Sequence, residues 1–418
     1  MSEAEVAIEA LGAAGDGIAT LDGGSLFVPG ALPGERWRVR AGPGGRAVPL
    51  LCLQAVPRAV PPCPVFGRCG GCRLQHLTAA DYAAFKRRRV TDALGRQGLP
   101  AGVVTEPRIG PPASRRRLRL ALTRVDGRLR LGLRERSGHA VVALDQCPVA
   151  MPELATLLPV LGAALQPWLS RPWPAEASLT LTDAGPDLLL HAARPPTAGE
   201  RAGVAVLARD AGLARIAWQA GGPPEALLTL RAPVVRLSGV AVEVPPGAFL
   251  QASAFGEAEL AGAVADWAGE PRQAADLYAG LGTLTLPLAG RARRVLACES
   301  DPQAAAALRR AAGGRGVTVA ERDLVRRPLQ PVELTQELVV LDPPRAGAQT
   351  QCAALARSRV PRVIYASCHP ESFARDARLL TGGGFVLEEV RPIDQFLWSA
   401  EVELAARFVR TSGRANRP

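Results

Sequence analysis

Lysine is almost missing: Lys86 stands alone among 50 basic residues in a chain of 418, and every other one is arginine. Aromatic residues make up only 4%, methionine occurs twice and histidine four times. No apolar run reaches the ~18 residues that a membrane-spanning helix needs. The first residues, MSEAEVAIEA, do not have the basic-then-apolar profile of a secretion signal. Eight cysteines are too few for a disulfide scaffold in a chain this long. Membrane-bound and secreted classes are thereby set aside, and a cytoplasmic protein is expected. The 43 glycines and 37 prolines follow no period, which excludes collagen and argues for many turns. Hydrophobic residues are 48%, ample for a core, and the length predicts roughly two to four domains at ~150 residues each.

Arginine abundance alone carries no argument, but its distribution does. Residues 86–136 hold 15 basic and 4 acidic side chains, a local excess equal to the +11 of the whole chain. Charge gathered in this way is an electrostatic footprint for a polyanion; the plainer reading is a solvated basic face.

Along the chain, residues 1–57 read as short β segments punctuated by glycine, with Asp22-Gly23 as a hairpin turn, and predict a small OB-like barrel. A proline-rich run, PRAVPPCP, follows as a linker. Residues 58–240 form a central α+β region. Within it, RRRLRLALTRVDGRLRLGLRER alternates with period two on both sides of Asp126-Gly127, the pattern of a β-hairpin with arginines on one face. In residues 241–418, apolar β runs (QAADLY, RVLACE, ELVVLDPP, RVIYASC, FVLEEV, VELAARFVR) alternate with alanine-rich helical stretches. That alternation predicts a doubly wound, Rossmann-like α/β domain. The fold class expected is thus multidomain: barrel, central α+β domain and C-terminal α/β domain.

Cys63, Cys69 and Cys72 form C-x5-C-x2-C, and Cys147 stands far downstream in DQCPV. Four cysteines suit a [4Fe–4S] cluster or structural zinc. Zinc sites usually pair two short knuckles, so the isolated fourth cysteine favours the cluster; His76 keeps a Cys3His zinc site open. Cys52, Cys298 and Cys352 read as inert thiols.

In ADLYAGLGTLTLPLA a strand ends in a Gly280-x-Gly282 turn that lets the backbone approach a ligand. Thr285 stands where a dinucleotide fingerprint has glycine or alanine, which weakens an NAD reading. Ligands of such sheets bind at the carboxyl ends of strands. Tyr278, Glu299, Asp342 and Cys368 all stand there and are expected to converge on one crevice. Pro370 fits the first position of a helix, placing Cys368 near a helix N-terminus, where a lowered thiol pKa is expected.

Taken together, these residues resemble the RNA uracil-5 methyltransferase family, and most nearly its iron–sulfur 23S rRNA branch, the RlmD type. The resemblance runs through most of the chain: GDGIATLDGGSLFVPGALPGE is similar to a TRAM domain, CPVFGRCGGCRLQHL to the cluster signature, and FLQAS, DLYAGLGTLTLPLA, LDPPRAG and SCHPESFARD to the cofactor and catalytic motifs in order. It implies contacts to S-adenosyl-L-methionine from Gln251, Tyr278, Thr283, Glu299, Asp323 and Asp342. It implies Cys368 as nucleophile and Glu403 as general base, with Glu401, expected on the same strand face, as the rival base. It further implies a [4Fe–4S] cluster on the four cysteines, and RNA, 23S rRNA foremost, as the partner of a monomer. Ser253, Ala279 and the absence of histidines in LWSAEVE depart from the family pattern. Rival readings are a tRNA uracil-5 methyltransferase, a base-amine methyltransferase using DPPR, and a non-catalytic iron–sulfur RNA-binding protein.

Overall fold

The computed structural model describes residues 3–170 and 174–411. The N-terminal segment makes two three-stranded antiparallel sheets, one of Glu3–Ala7, Arg36–Ala41 and Ala47–Gln54, the other of Ala10–Leu11, Gly17–Leu21 and Gly24–Val28. Val6, Ile8, Ala19, Leu26, Val28 and Val39 form their common core. The hairpin at Asp22-Gly23 is as expected: both residues have positive φ, 50° and 77°, the conformation an Asp-Gly pair tolerates in a two-residue turn.

A seven-stranded sheet follows, in the order Val141–Ala143, Arg128–Arg134, Arg117–Val125, Glu176–Thr182, Gly185–His191, Arg215–Gln219 and Glu225–Thr229. The arginine hairpin forms in register across Asp126-Gly127. Its alternation buries Leu118, Leu120, Leu122 and Leu131 while Arg119, Arg128 and Arg130 stay exposed on the other face. Gly185–His191 and Arg215–Gln219 run parallel because helix Ala198–Asp210 crosses between them. That helix and Pro152–Trp168 cover the apolar face, so the opposite face is left for a ligand.

The last sheet has eight strands, in the order Val317–Glu321, Arg294–Glu299, Gln273–Leu277, Leu338–Leu341, Arg362–Ser367, Glu403–Arg410, Phe385–Asp394 and Arg108–Ile109. The first five are parallel; the three inner ones, Gln273–Leu277, Leu338–Leu341 and Arg362–Ser367, are near-continuously buried, as strands covered by helices on both faces must be, while the edge strand Val317–Glu321 is only partly covered. Strand order reverses beside Gln273–Leu277, so the crevice for a ligand opens at its carboxyl end. Residues 79–109 precede the central sheet in sequence yet belong to this core. Helix Ala79–Arg96 packs on helix Pro370–Gly382, burying Val90, Ala93 and Leu94 with Phe373 and Phe408, and Arg108–Ile109 adds the edge strand. No helix among the described residues is long and apolar enough to cross a membrane.

Candidate active site

The end of strand Gln273–Leu277 is built around a buried acid. Asp276 accepts a hydrogen bond from Thr285 Oγ1 at 2.5 Å, and burial pushes its carboxyl up to about 7. Tyr278 then takes φ 68°, unusual for an aromatic residue, to turn the chain into Gly280 (φ 54°). A Cβ on Gly280 would meet nothing within 4 Å, so the turn leaves open space over its backbone. The Gly280 amide donates to Glu299 Oε2 at 2.7 Å, while Glu299 Oε1 accepts from the amides of Ser300 and Asp301, both at 2.7 Å. Glu299 therefore ties two strand-end turns together. Thr283 is half-buried in the turn before helix Thr285–Ala289. Asp323 accepts from the amides of Val325 and Arg326, closing its own turn.

Beside this turn, amide side chains join three strand ends. Gln251 donates through Nε2 to Asp342 Oδ2 at 3.1 Å and accepts at Oε1 from Gln395 Nε2 at 2.9 Å; the same Gln395 amide donates to Glu403 Oε2. The Ala252 amide fixes Gln395 by donating to its Oε1 at 3.1 Å. Burial pushes Asp342 up to about 7. Burial, then the nearby Asp342 charge, raises Glu403 well above the usual carboxylate range. A carboxylate held this way is a stronger base than one in water. Gln395 was not singled out in the sequence; it lies in IDQF, where neither spacing nor charge marks it.

Cys368 lies at the end of strand Arg362–Ser367, and helix Pro370–Gly382 begins at Pro370 with His369 as its cap. The lowered thiol pKa expected from that helix end is not found. Burial first, then the charges of Glu403 and Asp342, push the thiol up to about 11, and the Arg345 guanidinium and a backbone hydrogen bond at Cys368 counter them only in part. Burial and two carboxylates outweigh whatever the helix end offers the thiolate. Arg345→Ala should therefore slow alkylation of Cys368 by iodoacetamide at pH 8 about 3–10-fold, as read by peptide mass spectrometry, because each pKa unit changes the thiolate fraction about tenfold; an unchanged rate would show that Arg345 does not act on the thiol.

Glu401 and Glu403 are also separated by the structure. Strand Glu403–Arg410 starts at Glu403, so Glu401 is not on its face; Glu401 pairs with Arg345 at 3.0 Å, while Glu403 is 2% exposed and faces the cleft.

That cleft, of ≈ 860 Å³, separates the last sheet from the central one. One wall carries Gln251, Cys368, Gln395, Phe396 and Glu403, and the other Ser178, Thr180 and His191. Arg115 and Arg117 line it as well, stacked over Phe396 and Phe249 at 5.8 and 5.0 Å. The expected crevice extends from this cleft, whose lining reaches Asp301 beside Glu299, toward the glycine turn. Cys368 faces the cleft together with Gln251 and Glu403, whereas Tyr278, Thr283, Glu299 and Asp323 surround the glycine turn and Asp342 joins the two through Gln251.

The four spaced cysteines gather from two loops, Cys63, Cys69 and Cys72 from the one before helix Ala79–Arg96 and Cys147 from the one before helix Pro152–Trp168. Each of Cys69, Cys72 and Cys147 is pushed up, first by burial and then by the other thiols around it, Cys72 to about 12. The Gly71 amide points at Cys69 Sγ (3.5 Å), and the amides of Val149 and Ala150 act on the Cys147 sulfur. Among the described residues no three His, Cys, Asp or Glu side chains converge as donors to a single ion. His76 is buried against Phe66, and both its ring nitrogens are unpartnered.

An uncharacterized RNA methyltransferase of Caulobacter vibrioides is 40% identical over 97% of this chain and 100% of its own. The chain belongs to the RNA methyltransferase family. The methyltransferase is also 32% identical, over 95% of its length and 94% of the relative's, to the 23S rRNA (uracil(1939)-C(5))-methyltransferase RlmD of Edwardsiella ictaluri. Its fold matches a tRNA (uracil-54, C5)-methyltransferase of Pyrococcus abyssi, solved with S-adenosyl-L-homocysteine, with a TM-score of 0.75 at 23% identity over 97% of this chain and 99% of that one. No protein-family model matches the methyltransferase.

Proposed function

We propose that this enzyme methylates C5 of a uridine in 23S rRNA, with S-adenosyl-L-methionine as methyl donor. The observation that carries the reading is the meeting of Cys368 and Glu403, from different strands, in one cleft beside Gln251 and Asp342. A methyltransferase acting on a base amine has no use for a thiol there. Similarity to RlmD over nearly the whole chain favours 23S rRNA over tRNA.

Uracil C5 is a poor nucleophile. The Cys368 thiolate adds to C6, forming a C–S bond and moving the C5=C6 electrons onto O4 as an enolate. C5 then takes the methyl carbon, and the donor leaves as S-adenosylhomocysteine. Glu403 removes the C5 proton, the C5=C6 bond re-forms, and the thiolate is expelled. The target base must leave its stack to meet Cys368, so an unpaired loop is the natural substrate. Arg115, Arg117 and the exposed arginines of the hairpin would hold its backbone. Gln251 and Asp342 would hold the donor on the cleft side and Tyr278, Thr283, Glu299 and Asp323 on the side of the glycine turn, whose open backbone leaves room for it.

Cys63, Cys69, Cys72 and Cys147 would hold a [4Fe–4S] cluster, a group wide enough for thiols that do not converge on one ion. Amides directed at two of the sulfurs and the neighbouring Arg115 guanidinium offset its negative charge. Bound there, it would brace the loops beside the arginine hairpin. The boundaries we propose are 1–57 for the RNA-binding barrel of TRAM type, 58–240 for the central domain, less residues 79–109, which pack into the methyltransferase core, and 241–418 for the methyltransferase domain, acting as a cytoplasmic monomer.

The test incubates anaerobically purified enzyme with labelled S-adenosyl-L-methionine and unmodified 23S rRNA or tRNA. Label in 5-methyluridine from 23S rRNA is expected. Label from tRNA would overturn the substrate, and label in no 5-methyluridine would overturn the uracil chemistry.

A further inference from the structure

In a chain that otherwise uses only arginine, Lys86 is fully buried. It projects from helix Ala79–Arg96 into the base of the loop between strands Phe385–Asp394 and Glu403–Arg410. Its ammonium lies 2.8 Å from Asp394 Oδ1 and donates to the carbonyl oxygens of Phe396, at 3.4 Å, and Glu401. The ammonium thus sits among three oxygens, one carboxylate oxygen in an ion pair and two carbonyls that accept from it. A planar guanidinium, larger and with its donors in a fork, does not fit that pyramidal set.

Tyr82, one turn earlier on the same helix, completes the arrangement. Its hydroxyl donates to Asp394 Oδ2 at 2.6 Å and accepts from the Trp398 amide at 2.7 Å. The Trp398 carbonyl accepts from the amides of Arg73 and Leu74 at 2.8 and 3.0 Å. Trp398 has φ 58°, a left-handed backbone that a bulky side chain adopts only when its surroundings impose it. The loop is therefore held at Phe396, Trp398 and Glu401 by fixed donors and acceptors. A buried ion pair is a poor source of stability compared with apolar packing; its value here is geometric.

We propose that Lys86 is a positioning residue: with Asp394 and Tyr82 it clasps loop 395–402 and so sets where Phe396 and Glu403 stand in the cleft. The inference rests on the reading of Glu403 as the base that removes the C5 proton. A displaced base leaves thiol addition and methyl transfer possible but delays elimination, so the enzyme remains joined to its RNA.

The experiment compares the full-length enzyme with Glu403→Gln, the charge-neutral pair Lys86→Met/Asp394→Asn, and Tyr82→Phe on 23S rRNA. In Lys86→Met/Asp394→Asn, single-turnover 5-methyluridine release should fall about 10–10²-fold, with RNA and S-adenosyl-L-methionine affinities within about twofold of wild type. It should also accumulate the denaturant-stable protein–RNA adduct expected of Glu403→Gln. Tyr82→Phe, which deletes one hydroxyl, should give the same adduct more weakly, and it carries the test if the double variant fails to fold. An adduct in Glu403→Gln with wild-type release from the folded clasp variants overturns the positioning role alone. Loss of RNA and donor binding together, without adduct, makes Lys86 merely structural and also overturns it. Absence of the adduct from Glu403→Gln removes the base reading and this inference with it.

Discussion

Cys368→Ala lowers formation of 5-methyluridine by about 10⁴-fold or more, the scale on which deletion of a covalent nucleophile falls. Without the thiol, C6 has no partner, no enolate forms, and C5 does not attack the methyl group. The substitution removes one atom from a half-buried side chain at the rim of a cleft, so the fold and the other walls stay as they are. RNA binding, read by filter retention, should remain within about twofold, because arginines and not the thiol supply it. The result separates reaction classes. A base-amine methyltransferase using Asp342-Pro343-Pro344 would transfer label in the variant as in the wild type, and a protein that only binds RNA would show no label in either. Label in 5-methyluridine at wild-type rates in Cys368→Ala would end the covalent mechanism.

Glu403→Gln slows product release by about 10²–10⁴-fold, the usual contribution of a positioned general base, and leaves a protein–RNA conjugate that survives denaturing electrophoresis. The amide keeps the shape of the side chain and can still hydrogen-bond Gln395, but it cannot take a proton. Addition and methyl transfer precede proton removal, so the trapped species already carries the new methyl group; mass spectrometry of the digested conjugate would show the Cys368 peptide joined to a methylated uracil nucleotide. Glu401→Gln should leave release near wild type, because that carboxylate is occupied by Arg345 and stands outside the strand. Trapping by Glu401→Gln and not by Glu403→Gln would exchange the two roles. The pH dependence has a definite sign. Burial raises Glu403 and holds the Cys368 thiol near 11, so both groups gain their reactive, deprotonated forms as pH rises. Release should climb across the neutral and alkaline range; a fall there would place the rate-limiting proton elsewhere.

Much of this was legible in the residues. Period-two arginines about Asp126-Gly127 specified their hairpin because each strand had one face to bury and one to expose. Asp-Gly pairs specified their turns because positive φ is costly for most other residues. Alternating apolar runs and alanine-rich stretches specified the parallel sheet, since strands covered on both faces read as continuous hydrophobes. Strand pattern put Tyr278, Glu299, Asp342 and Cys368 at carboxyl ends of strands. What the chain alone left undecided was set by groups distant in sequence. The thiol pKa depends on two carboxylates from other strands, and no local pattern reports them. Glu403 is distinguished from Glu401 by where the strand begins and by which of them meets Arg345. Helix Ala79–Arg96 opens the basic segment of the sequence, yet its apolar face completes the core of a sheet formed far downstream, and its single lysine meets Asp394 there. Local propensity and periodicity depend on neighbours along the chain and were determined by sequence; charge, burial and loop position depend on neighbours across space, and only the tertiary structure decided them.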